Sequence, residues 1–249
     1  MITQQNLNYL DYKVSLTVPP KRLEYLLQTQ DGKTNILPKR SIALIKAPPK
    51  QGKTQLAKIL MSCVLNGDNP LFFSNQPDFS VLYVDTEQDA YHSYLLGVQV
   101  CGMAQLPVDS ERFEIFNLSE VSRESRLNIF EALLLHHSPS LVVLDGVVDL
   151  CRNFNDQAES QSLVDRLNQL AKRYDCCILS VIHTNKGDDN SRGHLGAFYE
   201  QKATDVFAVK KTDQSTFSVT EPVSRHLGVD EFLFYISSVG TPDIIDNVD

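Results

Sequence analysis

One short stretch, from Ile45 to Thr54, constrains the fold of this chain more than any other. It reads I-K-A-P-P-K-Q-G-K-T, follows an apolar run and precedes an amphipathic one. That order predicts a buried strand, a tight loop and a helix. The loop has the A-x-x-x-x-G-K-T form of a phosphate-binding loop, with alanine in place of the first glycine. Backbone N–H groups and the helix dipole favour an anion at such a helix N-terminus.

Different residues of this loop are expected to contact different parts of a bound phosphate chain. Gly52 has no Cβ, so backbone can approach a phosphate closely. Lys53 can reach the β- and γ-phosphates, and the Thr54 hydroxyl can bind Mg²⁺. The candidate nucleotide-binding residues are Ala47, Pro48, Pro49, Lys50, Gln51, Gly52, Lys53, Thr54 and Gln55.

The composition is that of a globular protein, and its charge argues against one class of function. The 249 residues carry a net charge of −8, which disfavours a basic surface that binds nucleic acid strongly on its own. No apolar run approaches the roughly 20 residues of a membrane span, and the N-terminus lacks a signal pattern, so we expect a cytoplasmic protein without membrane contact. The five cysteines have no zinc spacing and predict buried reduced thiols.

Strand-like and helix-like segments alternate along most of the chain. We predict an N-terminal arm with a short helix at residues 22–28, followed by one domain over residues 38–249. From residue 205 the pattern changes to strand-like pieces at 206–211, 215–220 and 231–237, which favours an antiparallel meander. The prediction is a doubly wound α/β domain with a mostly parallel sheet and antiparallel strands at its C-terminal end.

Three further polar residues follow apolar strands, whose carboxyl ends meet at one edge of a parallel sheet. Asp145, after four apolar residues, fits a carboxylate that supports Mg²⁺ beside Thr54. Glu87 can orient and deprotonate the attacking water, and Asp85 competes for that role. His183 ends a third strand, where it can hydrogen-bond a γ-phosphate.

Together these motifs resemble the RecA-like ATPases, and within them the plasmid RepA-type family of hexameric helicases. The resemblance covers roughly residues 38 to 211 and includes the loop that opens with Ala47 and Pro48. It also includes the strands V-L-Y-V-D-T-E and L-V-V-L-D, which contain Glu87 and Asp145. Its most specific element is H-T-N-K-G, beginning at His183, followed by S-R-G.

The resemblance implies roles and partners that the residues alone do not establish. By resemblance, His183 is the γ-phosphate sensor, and Arg192 is an arginine finger for the nucleotide of a neighbouring subunit. ATP and Mg²⁺ are then the cofactors and a homo-hexamer the assembly, with single-stranded DNA and replication or mobilisation proteins as partners. A nucleotide-switched assembly protein with little turnover is the alternative. We expect Lys210 and Lys211 to be solvated; the other interpretation is that they cross a subunit interface.

Overall fold

The computed structural model describes residues 13–66, 69–74, 76–185 and 190–245. Within them, one large sheet carries the candidate residues on its strand ends. In chain order its strands are β3 (Ser41–Ala47), β5 (Val81–Asp85), β6 (Phe113–Asn117), β7 (Leu141–Asp145), β8 (Cys177–His183), β9 (Asp205–Lys211), β10 (Thr216–Ser224), β11 (Phe232–Ile236) and β12 (Pro242–Ile244).

The spatial order of these strands confirms the predicted fold class. It is β12-β11-β10-β9-β3-β8-β7-β5-β6. The strands from β9 to β6 are parallel, whereas β10, β11 and β12 continue the sheet in antiparallel fashion. The central strands β3, β5 and β7 are buried along their whole length, which suits parallel strands covered on both faces.

Helices cover both faces of the sheet, as expected for a doubly wound domain. The helices are α1 (Lys53–Val64), α2 (Ala90–Met103), α3 (Arg123–His137), α4 (Gln157–Arg173) and α5 (Gly193–Lys202). Residues of α1 and α2 pack in one core layer and residues of α3, α4 and α5 in the other. Adjacent Cys177 and Cys176 fall in opposite layers, and all five cysteines are buried thiols, as predicted. No described helix is both long and apolar enough to cross a membrane.

The predicted helix at residues 22–28 is wrong. Tyr25–Thr29 is a strand, β1, which pairs with β2 (Asn35–Pro38) and β4 (Phe72–Phe73) in a small antiparallel sheet. Leu26 and Leu27 are both fully buried, so their adjacency reflects packing on two sides of a strand. Cross-strand pairing and burial override a weak local helical pattern here.

Helix α5 is a second difference, because the sequence analysis assigned no helix to residues 193–202. Leu195 and Tyr199 are fully buried on one face of α5, and Phe198 packs beside them. The Tyr199 hydroxyl lies 2.7 Å from the Ser180 hydroxyl on β8. The apolar i, i+3, i+4 spacing of these residues is the signal that could have predicted the helix.

A pair of carboxyl groups, one buried and one half-buried, joins the start of β9 to the irregular middle of β10. Asp205 and Glu221 face each other there, and Val229 N–H donates to Glu221 Oε2 at 2.6 Å. Burial, reinforced by the Asp205 carboxylate, raises the pKa of Glu221 to about 8. Tyr25 and His226 are the other titratable groups at this point, with Tyr25 Oη 3.3 Å from His226 Nδ1.

This pair predicts how stability depends on pH. The folded protein holds a proton on Glu221 up to about pH 8, whereas a glutamate in the unfolded chain loses it near its ordinary pKa of about 4.3. The folded state therefore binds more protons across that window, and the free energy of unfolding should fall as pH rises through it. Thermal unfolding of the native protein and of Glu221→Gln from pH 5 to 9 checks this, since the variant should have the flatter profile. Equal slopes would contradict it.

Candidate functional site

The phosphate-loop sequence adopts the predicted strand–loop–helix form. Strand β3 ends at buried Ala47, and α1 begins at Lys53 directly after Gly52. Gly52 has φ of 87°, and a Cβ there would lie 2.7 Å from a ring carbon of Phe217. Glycine is therefore required both by the backbone and by an aromatic ring from β10. Gln51 adds a second link to the meander, because its Oε1 accepts the Lys211 backbone N–H at 2.7 Å.

The ammonium of Lys53 is held by three acceptors at the edge of the sheet. Its Nζ donates to the carbonyl oxygens of Ala47 at 3.2 Å and Pro48 at 3.0 Å, and to Nδ1 of His183 at 2.9 Å. Because Nδ1 accepts from a lysine, the ring proton of neutral His183 lies on Nε2. Burial lowers the pKa of Lys53 to about 8, although nearby carboxylates oppose that shift.

Asp145 lies beside the loop hydroxyl, where the sequence placed it. Thr54 Oγ1 donates to Asp145 Oδ2 at 3.1 Å, and the buried Tyr83 hydroxyl donates to the same oxygen at 2.9 Å. Burial raises the pKa of Asp145 to about 6. Tyr83, which the sequence analysis did not select, therefore orients the carboxylate toward Thr54.

Glu87 faces the histidine that holds Lys53. Its Oε2 lies 3.9 Å from Nε2 of His183. The imidazole, together with the Lys53 ammonium, lowers the pKa of Glu87 below its ordinary value. Glu87 is therefore an ionised carboxylate at neutral pH, and it acts as a hydrogen-bond acceptor only.

Asp85, the competing carboxylate, is occupied by its own turn. Its Oδ1 accepts the backbone N–H groups of Glu87 and Gln88, each at 3.0 Å, and its Oδ2 accepts the Ser93 hydroxyl at 2.8 Å. Its side chain is fully buried. Through these contacts Asp85 stabilises the turn after β5. Glu87 is therefore the better candidate for the carboxylate that binds a water molecule.

Gly146 is a site residue that the sequence analysis missed. It follows Asp145 with φ of 96°, and a Cβ there would lie 2.1 Å from Thr86 Oγ1 and 2.8 Å from Glu87 Cγ. Any side chain would therefore displace Glu87. A glycine directly after a strand-end aspartate is the signal that could have drawn attention to it.

Most of the predicted site residues meet in a cleft of about 620 Å³ at the carboxyl edge of the sheet. Ala47, Pro48 and Pro49 do not line it, and the first two contribute carbonyl groups to Lys53 instead. The C-terminal meander closes one side of the cleft, although no motif in the sequence indicated this. The predicted residues that do line it are Lys50, Gln51, Gly52, Lys53, Thr54, Gln55, Glu87, Asp145 and His183.

Arg192 lies outside this cleft, although its backbone is tied to the same strand end. The Arg192 N–H donates to the His183 carbonyl at 2.9 Å, and Thr184 pairs with Ser191 in an isolated bridge. The side chain is exposed, and its guanidinium lies 4.9 Å from the centre of the Phe154 ring. It lines a separate cavity. Lys186 and Gly187, the last two residues of the H-T-N-K-G segment, lie outside the described residues.

The geometry at Thr54 and Asp145 fits a magnesium ion. Both offer oxygen, the ligand atom that Mg²⁺ prefers, and they already lie within hydrogen-bonding distance of each other. Among the described residues, no group of three or more His, Cys, Asp or Glu side chains forms a metal cluster. An ion here would therefore take its other ligands from phosphate oxygens and water, as Mg²⁺ does in nucleotide sites.

The sheet order, the phosphate loop and the strand-end carboxylates define a RecA-like P-loop ATPase. A family model described as "AAA domain" matches residues 10–189, and the chain belongs to that family. A KaiC-like protein from the hyperthermophilic archaeon Pyrococcus horikoshii has a similar structure, with a TM-score of 0.62 and 12% identity over 91% of this chain and 100% of that chain. At this identity the likeness shows the fold alone. A comparison with curated proteins finds no match.

Proposed function

We propose that this protein is a Mg²⁺-dependent ATPase that hydrolyses ATP in the cleft between Lys53 and Glu87. One observation carries the proposal: four side chains from four separate motifs converge on one cleft. They are Lys53, Glu87, Asp145 and His183. A chance arrangement of unrelated strand ends would not place a phosphate-loop lysine, a buried carboxylate and an ionised carboxylate around a single opening.

Each residue has a role that follows from its contacts. Lys53 exchanges one of its three acceptors for a phosphate oxygen and neutralises β- and γ-phosphate charge. Thr54 and Asp145 hold the metal ion, with Tyr83 fixing the carboxylate. When bound, Mg²⁺ neutralises charge on the phosphates. Glu87, kept ionised by its neighbours, orients the attacking water and accepts its proton.

His183 connects the phosphate site to the segment that carries Arg192. Its ring contacts Lys53 and faces Glu87, while its carbonyl accepts the Arg192 N–H. We assign it as the sensor of the γ-phosphate, since loss of that phosphate would change the partners of its ring. The backbone hydrogen bond between His183 and Arg192 can transmit a movement of His183 to the segment that carries Arg192.

Arg192 acts on the nucleotide of a neighbouring subunit, in a homo-oligomer for which we propose a hexameric ring. The side chain is exposed, and it lines a cavity other than the cleft of its own chain. Its contact with the Phe154 ring positions the guanidinium without neutralising its charge. A planar, permanently charged group in that position is suited to binding phosphate oxygens across an interface.

We further propose a cytoplasmic role in a DNA transaction, such as replication, unwinding or the mobilisation of a plasmid or transposon. The support is the sequence resemblance to RepA-type helicases, so single-stranded DNA and replication or mobilisation proteins are the proposed partners. The net charge of −8 argues that any DNA contact is local, for example within a ring channel, and not spread over the outer surface.

A second candidate is a nucleotide-switched assembly protein with little turnover. The observation in its favour is the state of Lys53, whose three N–H groups all donate to the protein itself. A phosphate must compete with these contacts, which couples nucleotide binding to rearrangement around His183.

Assays of ATP hydrolysis with and without single-stranded oligo-dT separate the two candidates. If the protein is an ATPase that acts on DNA, the oligonucleotide should increase the turnover of the native protein and leave Lys53→Ala inactive. Slow turnover that is the same at every DNA concentration would reject the role in a DNA transaction. It would favour the nucleotide-switched assembly protein. The assay is run at several salt concentrations, because contacts with DNA phosphates weaken as salt rises.

A further inference from the structure

Lys58 is a buried cation in the wall of the same cleft, beyond the phosphate loop. It lies on α1 four residues after Thr54, which is about 6 Å along the helix axis. Its exposed fraction is 6%. Its Nζ donates to the side-chain oxygens of Gln55 at 3.2 Å and Gln99 at 2.6 Å.

The charge of Lys58 has no partner that explains its burial. Among the described residues, no carboxylate forms an ion pair with it, and burial alone lowers its pKa. A buried charge costs free energy unless it is paired. The two amide oxygens use two of its three N–H groups, so one donor remains for another acceptor.

The surroundings of Lys58 suit a nucleoside. Leu95 and Leu96 of α2 line the cleft on one side, and Ile236 and Gly240 line it near the end of β11. Gly240 has φ of 82°, a backbone conformation that favours glycine, and its Cα side lies close to the Gln99 amide. Apolar walls with a few convergent polar groups are typical of small-molecule sites.

We infer that Lys58 is a specificity-determining residue that donates a hydrogen bond to an acceptor on the nucleoside monophosphate part of the bound nucleotide. The inference rests on the proposed function, which places the β- and γ-phosphates at Lys53. The nucleotide then extends along α1 toward Lys58, whose partner is the α-phosphate or an acceptor atom of the base. An ammonium only donates, so it selects oxygen or ring nitrogen and disfavours an exocyclic amine.

A purely structural role for Lys58 makes the opposite prediction about stability. If Lys58 serves only to tie α1 to α2 through Gln99, a neutral residue in its place should lower the melting temperature. If it serves a ligand, removal of an unpaired buried charge should leave the melting temperature of the ligand-free protein unchanged or raise it. Methionine is the appropriate replacement because it keeps the length and apolar body of lysine without the charge.

The test compares the native protein with Lys58→Met and with the control Lys172→Met, a change of the same kind at an exposed position late in α4. Calorimetric titrations with ADP, GDP and pyrophosphate are combined with thermal unfolding in the absence of ligand. We expect Lys58→Met to weaken ADP binding about tenfold or more, the usual range for a hydrogen bond to a charged group. Pyrophosphate affinity and the melting temperature should not fall, and the control should match the native protein.

The outcomes distinguish a failure of the Lys58 inference from a failure of the proposed function. Equal losses for ADP and GDP support the inference with an acceptor that both nucleotides share, either the α-phosphate or a common ring nitrogen of the base. A loss for one of them alone supports it with an acceptor that only that base carries. Unchanged ADP affinity, or a parallel loss of ADP affinity, pyrophosphate affinity and melting temperature, would overturn it. If the native protein binds neither ADP nor pyrophosphate, the proposed function itself fails. If Lys53→Ala abolishes binding while Lys58→Met has no effect, only the inference about Lys58 fails.

Discussion

Replacing Glu87 by glutamine should abolish ATP turnover while leaving ATP affinity nearly intact. The amide keeps the shape of the side chain, and no backbone contact of the turn depends on its charge, because Asp85 holds that turn. The amide cannot accept a proton from the attacking water. Loss of a general base typically lowers the rate by about 10²–10⁴-fold. Phosphate release and equilibrium ATP binding, measured on the same preparation, give the two quantities.

Glu120→Gln is a matched control, since Glu120 is exposed and lies outside the cleft. It should hydrolyse ATP at the native rate. If Glu87→Gln also hydrolyses ATP normally, the assignment of Glu87 as the base is wrong. Asp85→Asn would then be the next variant. On the present geometry it should reduce stability and activity together, because it disturbs a buried carboxylate that accepts three hydrogen bonds.

Arg192→Ala should remove most turnover and leave ATP affinity almost unchanged. The arginine is exposed and lines a cavity other than the nucleotide cleft, so its own subunit does not need it to bind ATP. A finger supplied by a neighbour accelerates hydrolysis by about 10³–10⁵-fold where it has been dissected. Phosphate release as a function of protein concentration should also rise steeply for the native protein, because a single subunit has an incomplete site.

Mixing variants gives a sharper test of whether Arg192 acts at the nucleotide site of a neighbouring subunit. Arg192→Ala has an intact phosphate loop, and Lys53→Ala has an intact finger, so interfaces formed between them should recover part of the activity that each lacks alone. Arg152→Ala is the control, since Arg152 is also exposed and lies outside the nucleotide cleft. Native activity in Arg192→Ala, or specific activity that stays constant on dilution to a proven monomer, would contradict the role.

The fold and most strand-end residues could be predicted because they depend on local sequence. A continuous apolar run followed by a polar residue is typical of a buried parallel strand. The polar residue then lies at the carboxyl edge of the sheet, where ligands bind. Asp145 and His183 each follow such a run, and the structure places both beside the phosphate loop. Phosphate loops are similarly local, since strand, glycine turn and helix are contiguous in the chain.

Other parts of the site depend on contacts between distant segments, which no local pattern reports. Tyr83 looks like any buried strand residue until the fold brings its hydroxyl to Asp145. Phe217 lies against Gly52 only because the meander folds back over the loop. The local pattern of β1 indicates a helix for the same reason, since its partners β2 and β4 decide its conformation. In each case packing between segments that are distant in the sequence determines the conformation or the contact.

The most direct test of the proposed ATPase site is phosphate release from ATP and Mg²⁺ by the native protein and by Lys53→Ala, with ADP binding measured in parallel. We predict hydrolysis by the native protein, and neither binding nor hydrolysis by the variant, because Lys53 is the phosphate-loop cation that lines the cleft and contacts His183. A native protein that binds no nucleotide, or a Lys53→Ala variant that hydrolyses ATP at the native rate, would contradict the account.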